Sequence, residues 1–251
     1  MVSPAKTLDF ESELQIGSIS EPLFPDSRAK VAKKLASYKP GALMKLQGIS
    51  KALANVNFER NQALAAGETG AKKQAVLAFK GDVYLGMEAE QWTSSDMDYA
   101  QQKLFILSGY YGILKPNSLI SPYRLEMGTA MNVGRKKNLY EFWKADLGAF
   151  LKEELKAEEP ILNLASNEYF KVVKQLKLPN PVIDVDFRDF SNGKYKVISF
   201  FAKKARGMMA NYVIQNRIDD WRELKDFNLA GYYYDAAQST ETKMVFLRDK
   251  Q

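Results

Sequence analysis

Residues 182–217, VIDVDFRDFSNGKYKVISFFAKKARGMMANYVIQNR, decide the fold class. From Val182 to Phe187 apolar and polar residues alternate, the period-2 pattern of a half-buried strand. Phe190-Ser191-Asn192-Gly193 follows, and an Asn-Gly pair between two alternating runs is a hairpin signal. Lys194 to Phe201 alternates again as a returning strand. From Lys203 to Arg217 the spacing becomes helical. Strand, hairpin, strand and helix in one stretch give α+β or mixed α/β, and the hairpin argues for at least partly antiparallel pairing.

Outward from this stretch, helices are expected at about Asp26–Tyr38, Gly41–Gln47, Ser50–Asn61, Ala71–Leu77, Ser95–Leu107, Leu139–Lys156 and Asn167–Val173. Ser95 with Asp98 three residues on reads as a capping box. Further strands are expected at Ile161–Ala165, Leu229–Tyr234 and Lys243–Leu247. The least structured parts are Glu11–Pro25, Leu64–Gly70 and Ala236–Thr242. None is long or biased enough for a linker, so residues 1–251 read as one domain of mixed sheet surrounded by helices.

The chain has no cysteine and no histidine. Thiol chemistry, thiolate metal sites and a Ser-His-Asp triad are therefore excluded. A metal site would need oxygen ligands alone. MVSPAKTLDF lacks the basic start and apolar run of a signal peptide, and no apolar run reaches membrane-spanning length. The expected location is the cytoplasm, with no membrane partner and no cofactor.

The net charge is +6, from 36 basic and 30 acidic residues. Arg28 to Arg60 holds eight basic residues against Glu59, and Lys194 to Arg217 holds six against none. These segments carry +7 and +6, which leaves −7 for the rest of the chain. Concentrated positive charge on an otherwise acidic chain is the footprint of a polyanion binder; two solvated basic faces are the plain alternative.

Leu43 to Ala54, LMKLQGISKALA, resembles a helix-hairpin-helix. Gly48 can take the left-handed turn ending the first helix, Ile49 fills the space between helices, and Ser50 caps the second. The free N–H groups and helix dipole there form an anion site that a DNA phosphate fits, with Lys45 and Lys51 flanking it. The motif usually has a second glycine where Ser50 stands, and an ordinary helix pair would show similar spacing.

In the basic helix, Lys203, Arg206, Gly207, Ala210 and Arg217 fall on one arc and Ala205, Met208, Met209 and Tyr212 on the other, which reads as core. Gly207 and Ala210 form either a small floor for a polymer backbone or a helix-packing contact with charges at its rim. Asp82, Glu126 and Glu168 are candidates for an oxygen-ligand metal set or an acid/base pair, and equally for structural ion pairs with Lys80 or Arg124. Asp82, Tyr84 and Glu126 are the catalytic candidates, with Lys6 and Arg124 beside them.

SPAKTLDF, AFKGDVY, LSGYYGILKP, PYRLEMG, LYEFW, NLASNEYFK, ISFFAKKARG and GYYYD, in this order, resemble the YaaA family. The resemblance runs from Val2 to about Arg248. It implies a single α+β domain of unusual architecture, a helix-hairpin-helix at about Lys34–Asn61, and a positively charged cleft. It also implies binding of double-stranded DNA and a role in limiting iron-dependent damage under peroxide stress. Carried over by position, the cleft residues are Lys6, Lys80, Arg124, Lys203, Lys204 and Arg206; the hairpin adds Lys45, Gly48, Ser50 and Lys51. Only Met1 and Val2 precede the SPAKT block, where family members carry a few more apolar residues, which implies a shortened first strand.

The expectation is thus a monomeric binder of double-stranded DNA, including distorted or damaged duplex, and not a conventional enzyme. Two other readings stay open: an enzyme on a phosphorylated or nucleic-acid substrate through Lys6, Asp82, Tyr84, Arg124 and Glu126, and an oxygen-ligand metal buffer.

Overall fold

The computed structural model describes residues 1–68 and 70–249. In chain order the first half runs β1 (Thr7–Leu8), α1 (Pro25–Ala36), α2 (Pro40–Gln47), α3 (Lys51–Ala66), β2 (Lys73–Gln74), α4 (Ala75–Ala78), β3 (Phe79–Lys80), α5 (Asp82–Met87) and α6 (Ser94–Lys103). The second runs β4 (Ile106–Ser108), β5 (Gly112–Leu114), β6 (Leu119–Ile120), α7 (Leu139–Glu154), β7 (Ile161–Asn163), α8 (Asn167–Lys174), β8 (Val182–Ser191), β9 (Lys194–Lys196), α9 (Ser199–Gln215), β10 (Tyr232–Tyr234) and β11 (Lys243–Arg248).

The fold is α+β. Its five-stranded mixed sheet follows the order β10-β11-β8-β7, with β9 also paired to β8. β8 runs parallel to β7 and β11 and antiparallel to β9. The turn between β8 and β9 forms as read: Asn192 and Gly193 take φ of 53° and 78°, the two positive angles a type I′ hairpin demands. Alternation along β8 is equally plain, with Ile183, Val185, Phe187 and Asp189 all buried. α9 packs on this sheet and, more intimately, on α5. Val2 threads in parallel between β4 and β7 through bridges to Ile106 and Leu164, and is fully buried.

Several expectations need correction. The returning strand stops at Lys196, and residues to Phe201 do not continue it: Ser199 opens α9. Val197 and Phe200 are more than half exposed, so the alternation there has no second buried face to satisfy. The capping box is Thr93 with Asp96, not Ser95 with Asp98: the Asp96 N–H donates to Thr93 Oγ1 and the Thr93 N–H to Asp96 Oδ2. α6 ends at Lys103 because the chain then enters β4. Ala71–Leu77 is not one helix. Lys73 and Gln74 pair with β6, and the Gln74 amide, accepting from the Ile16 N–H and donating to Ile16 O and Ser18 O, fixes the extended backbone. Leu229–Gly231 is a 3₁₀ turn with Ala230 at φ 52°, and strand begins only at Tyr232. α3 runs on past Asn61 to Ala66, and Thr69, within the irregular stretch expected at Leu64–Gly70, lies outside the described residues.

Candidate nucleic-acid interface

α2 and α3 meet at a tight turn. Gly48 ends α2 at φ 60°, ψ 44°, and its N–H and that of Ile49 both donate to Met44 O. A Cβ on Gly48 would meet nothing within 4 Å, so glycine is needed here for its conformation and not for space. Ser50 is the extended N-cap of α3, its Oγ accepting from the Leu53 N–H at 3.3 Å. That bond occupies the third N–H of α3 and leaves those of Lys51 and Ala52 facing outward at the positive end of a 16-residue helix. Lys45, Gly48, Ser50 and Lys51 are all exposed.

The turn is tied to the loop before α7. The Gln47 side-chain amide donates to Arg124 O at 2.8 Å. Arg124 Nη2 lies 3.1 Å from Glu126 Oε1, and Lys6 Nζ lies 3.3 Å from the same oxygen. β1 pairs antiparallel with β3, Thr7 opposite Lys80. Lys80 reaches Asp9 at 3.0 Å. The fold therefore links Arg124, and through Glu126 also Lys6, to the end of α2, with Lys80 across from Thr7 in the β1–β3 pair. It also answers them with Glu126 and Asp9, so this neighbourhood is an ion-pair network more than a bare positive cleft. Lys6 and Lys80 remain about two-thirds exposed. Arg124 is mostly buried and its Nε has no hydrogen-bond partner.

Tyr84, Glu126 and Glu168 each make structural contacts. Tyr84 is buried, its hydroxyl donates to Ser3 O at 3.1 Å, and burial drives its pKa well above the ordinary tyrosine value. It holds its proton at neutral pH and is no base. Glu168 Oε1 accepts the Gly128 N–H at 2.9 Å, and Glu126 serves Lys6 and Arg124. Among the described residues no three carboxylates converge as a metal site. Asp82 opens α5 without a side-chain cap bond.

α9 divides its charges. Lys203 and Lys204 are exposed. Arg206 is half-buried: burial lowers its pKa while Asp186 and Asp184 on β8 raise it. It faces the sheet, so reading it as exposed with Lys203 does not hold. Arg217 donates to Asp96 Oδ1 at 2.8 Å, clasping the start of α6. Gly207 is no floor for a polymer, because α5 covers it: a Cβ on Gly207 would lie 1.7 Å from Val83 O, and one on Gly86 2.1 Å from Lys204 O; Ala210 is buried as well. The choice between floor and helix packing is thereby made for packing. Sequence reasoning missed Gln47, Asp9 and Lys73. Lys73 is 6% exposed and bonded to Asp9 and Ser12; nothing in a lone lysine before Gln74 signals that burial.

Asp9 and Asp96 predict the acid response. The Glu11 N–H, then the Lys80 ammonium, hold Asp9 far below the usual carboxylate range. Burial would raise Asp96, but the Thr93 N–H and hydroxyl and the Arg217 guanidinium outweigh it and hold it low. A depressed folded pKa stabilises the fold above the unfolded value of about 3.9, and this stabilisation is lost as pH falls through the folded value. Unfolding free energy from urea titrations should thus be flat near neutrality and decline below about pH 4. Asp96→Asn should make that decline shallower; an unchanged slope would remove Asp96 from this account.

The family model described as "Peroxide stress protein YaaA" matches residues 1–238. A UPF0246 protein of Aliivibrio fischeri (strain MJ11) is 45% identical over 254 residues, covering 100% of this chain and 98% of the relative. A second, from Aliivibrio fischeri (strain ATCC 700601 / ES114), matches at the same identity and coverage. The match spans the α2–α3 turn, the Lys6–Arg124–Glu126 network and α9 together, and the chain belongs to the YaaA family of peroxide stress proteins.

Proposed function

We propose that this peroxide stress protein acts in the cytoplasm as a monomer that binds double-stranded DNA through its phosphate backbone, largely without regard to sequence, and so serves to limit iron-dependent damage. The observation that carries the reading is the α2–α3 turn. Gly48 in the left-handed conformation delivers Ser50 to the N-cap position and leaves two outward N–H groups beside Lys45 and Lys51. That is an anion site of the size of one phosphate. Contacts of this kind fix register and give affinity without base readout. Lys6, Lys80, Lys203 and Lys204 supply further exposed charge. The network of Lys6, Arg124 and Glu126 offers the enzyme alternative less, since its carboxylate is already engaged by two cations.

Lys51→Glu tests it. Lys51 occupies the first turn of α3, where a cation opposes the helix dipole by about 0.3–1 kcal/mol. The variant should therefore melt at the same or a higher temperature. Its carboxylate would compete for the two N–H groups and repel phosphate, so duplex affinity should drop by about tenfold. In the wild-type protein, neutralising about five phosphates gives a log–log salt slope near −4.5. Wild-type affinity in Lys51→Glu, measured by fluorescence anisotropy, would take the turn out of the interface.

A further inference from the structure

We infer that a second phosphate-binding groove, outside the α2–α3 turn and the Lys6–Arg124 network, lies between α1 and the turn that precedes α7, and that it takes the backbone of a nucleic acid; the inference rests on the proposed DNA-binding function and extends it to a separate surface. One wall is α1, where Ser27, Lys30, Lys34 and Ser37 recur at helical spacing on one stripe with Lys33 beside it. The other is the tight turn Val133–Lys136, whose end residues exchange backbone hydrogen bonds at 3.1 Å each and which presents Arg135 and Lys136. Phe142 and Asp146 of α7 form the floor. The groove encloses about 690 Å³.

Five cations face this space against one carboxylate, Asp146. Among the described residues none of the five forms an ion pair. Lys33 and Lys34 in the last turn of α1 suit its helix dipole, but that does not account for Lys30, Arg135 or Lys136. Lys30 stands three and four residues before Lys33 and Lys34, spacings at which like charges repel. Charges brought into one concavity from two separate elements fit an anionic polymer. The stripe from Ser27 to Ser37 is about 15 Å long at 1.5 Å per residue, and one DNA strand passes about four phosphates in that distance. Ser37 lines the groove, two residues before the Lys39 N-cap of α2.

The test uses the full chain and a labelled duplex of about 30 base pairs, titrated by anisotropy across a salt series. Lys33→Glu with Arg135→Glu replaces two exposed, unpaired side chains; because a carboxylate at position 33 would oppose the dipole at the end of α1, the melting temperature should fall, but only by about 2–4 °C, leaving the protein folded for the titration. It should weaken binding by at least about tenfold and make the log–log slope shallower by about 2. Lys156→Glu with Lys177→Glu changes net charge equally outside the groove and should have much the smaller effect. A wild-type slope in the groove variant, or an equal loss in the control, overturns the inference. Lys51→Glu in parallel separates the two claims. If it binds normally while the groove variant does not, the hairpin reading fails and the groove stands; the reverse result condemns the groove alone. Calorimetry with inorganic tripolyphosphate distinguishes the source of phosphate: saturable binding that the groove variant loses, with duplex binding untouched, would assign the groove to a free oligophosphate and overturn the nucleic-acid claim.

Discussion

Gly207→Ala should be among the most destabilising single-methyl additions in this protein, lowering stability by about 3 kcal/mol or more. The added Cβ would lie 1.7 Å from Val83 O, 2.7 Å from Val83 C and 2.8 Å from Met87 N. All three are backbone atoms of α5, so no side chain can rotate away. Relief requires α5 and α9 to separate by more than 1 Å, and that would open gaps beside Ala205, Met209 and Met87, each completely buried. For a chain of this size the thermal midpoint should fall by roughly 6–12 °C. Lys203→Ala, on the exposed side of the same helix, should change stability by less than about 0.5 kcal/mol. Circular dichroism melts of the two variants decide the matter. A Gly207→Ala protein that melts like wild type would mean that the α5–α9 contact is looser than described, and the polymer-floor reading of Gly207 would return.

Asp189→Ala should cost about 3–5 kcal/mol, because it strands a buried cation. Asp189 is 5% exposed and sits on the inward face of β8. Arg248 on β11, its direct neighbour in the parallel register, donates to Asp189 Oδ1 through Nε at 2.6 Å. The Tyr232 hydroxyl donates to the same carboxylate at 3.1 Å. The Arg248 guanidinium lies 4.5 Å from the ring centroids of both Phe201 and Tyr232. It cannot swing to water without giving up both aromatic contacts. Alanine removes the charge that compensates Arg248, whereas replacing both partners by apolar residues removes the problem. Asp189→Ala with Arg248→Met should therefore recover much of the loss. Urea unfolding of the single and double variants gives the coupling directly. Additive losses would show that the pair is not the source of the cost.

Both predictions turn on contacts that a linear reading does not contain, and the same division runs through the molecule. The local signals were legible. Asn192-Gly193 specified the hairpin because only a residue pair tolerating two positive φ angles suits that turn. The Gly48-Ile49-Ser50 sequence specified a helix end, a turn and a new N-cap for equally local reasons. The helices α1, α3, α7 and α8 form close to where the sequence pattern placed them. The absence of cysteine and histidine excluded whole chemistries regardless of fold. β1 to β6 were not legible: a strand of two or three residues shows no period by itself, these lie outside the longer runs that marked β7, β9 and β10, and some are held by partners far away in the chain, as Lys73 and Gln74 are by Leu119 and Ile120.

The candidate interface divides in the same way. That Lys6, Lys80, Arg124, Lys203 and Arg206 are basic was plain, but which of them carry charge toward solvent was not. Charge at a position is covalent and belongs to the sequence. Its neutralisation depends on carboxylates brought in by other elements, and these set Glu126 against Arg124, Asp9 against Lys80 and Asp186 near Arg206. Gly207 shows the point at a single residue. Helical spacing placed it correctly on the arc with Lys203, yet whether that arc met solvent or another helix depended on where α5 lay. The sequence alone determined the Asn192-Gly193 and Gly48 turns, the Ser50 cap and the excluded chemistries, because these depend on the conformational preferences of adjacent residues and on the functional groups present. Tertiary structure alone decided which charges stay unpaired and which small residues are covered, because both are set by approach between backbone segments distant in the chain.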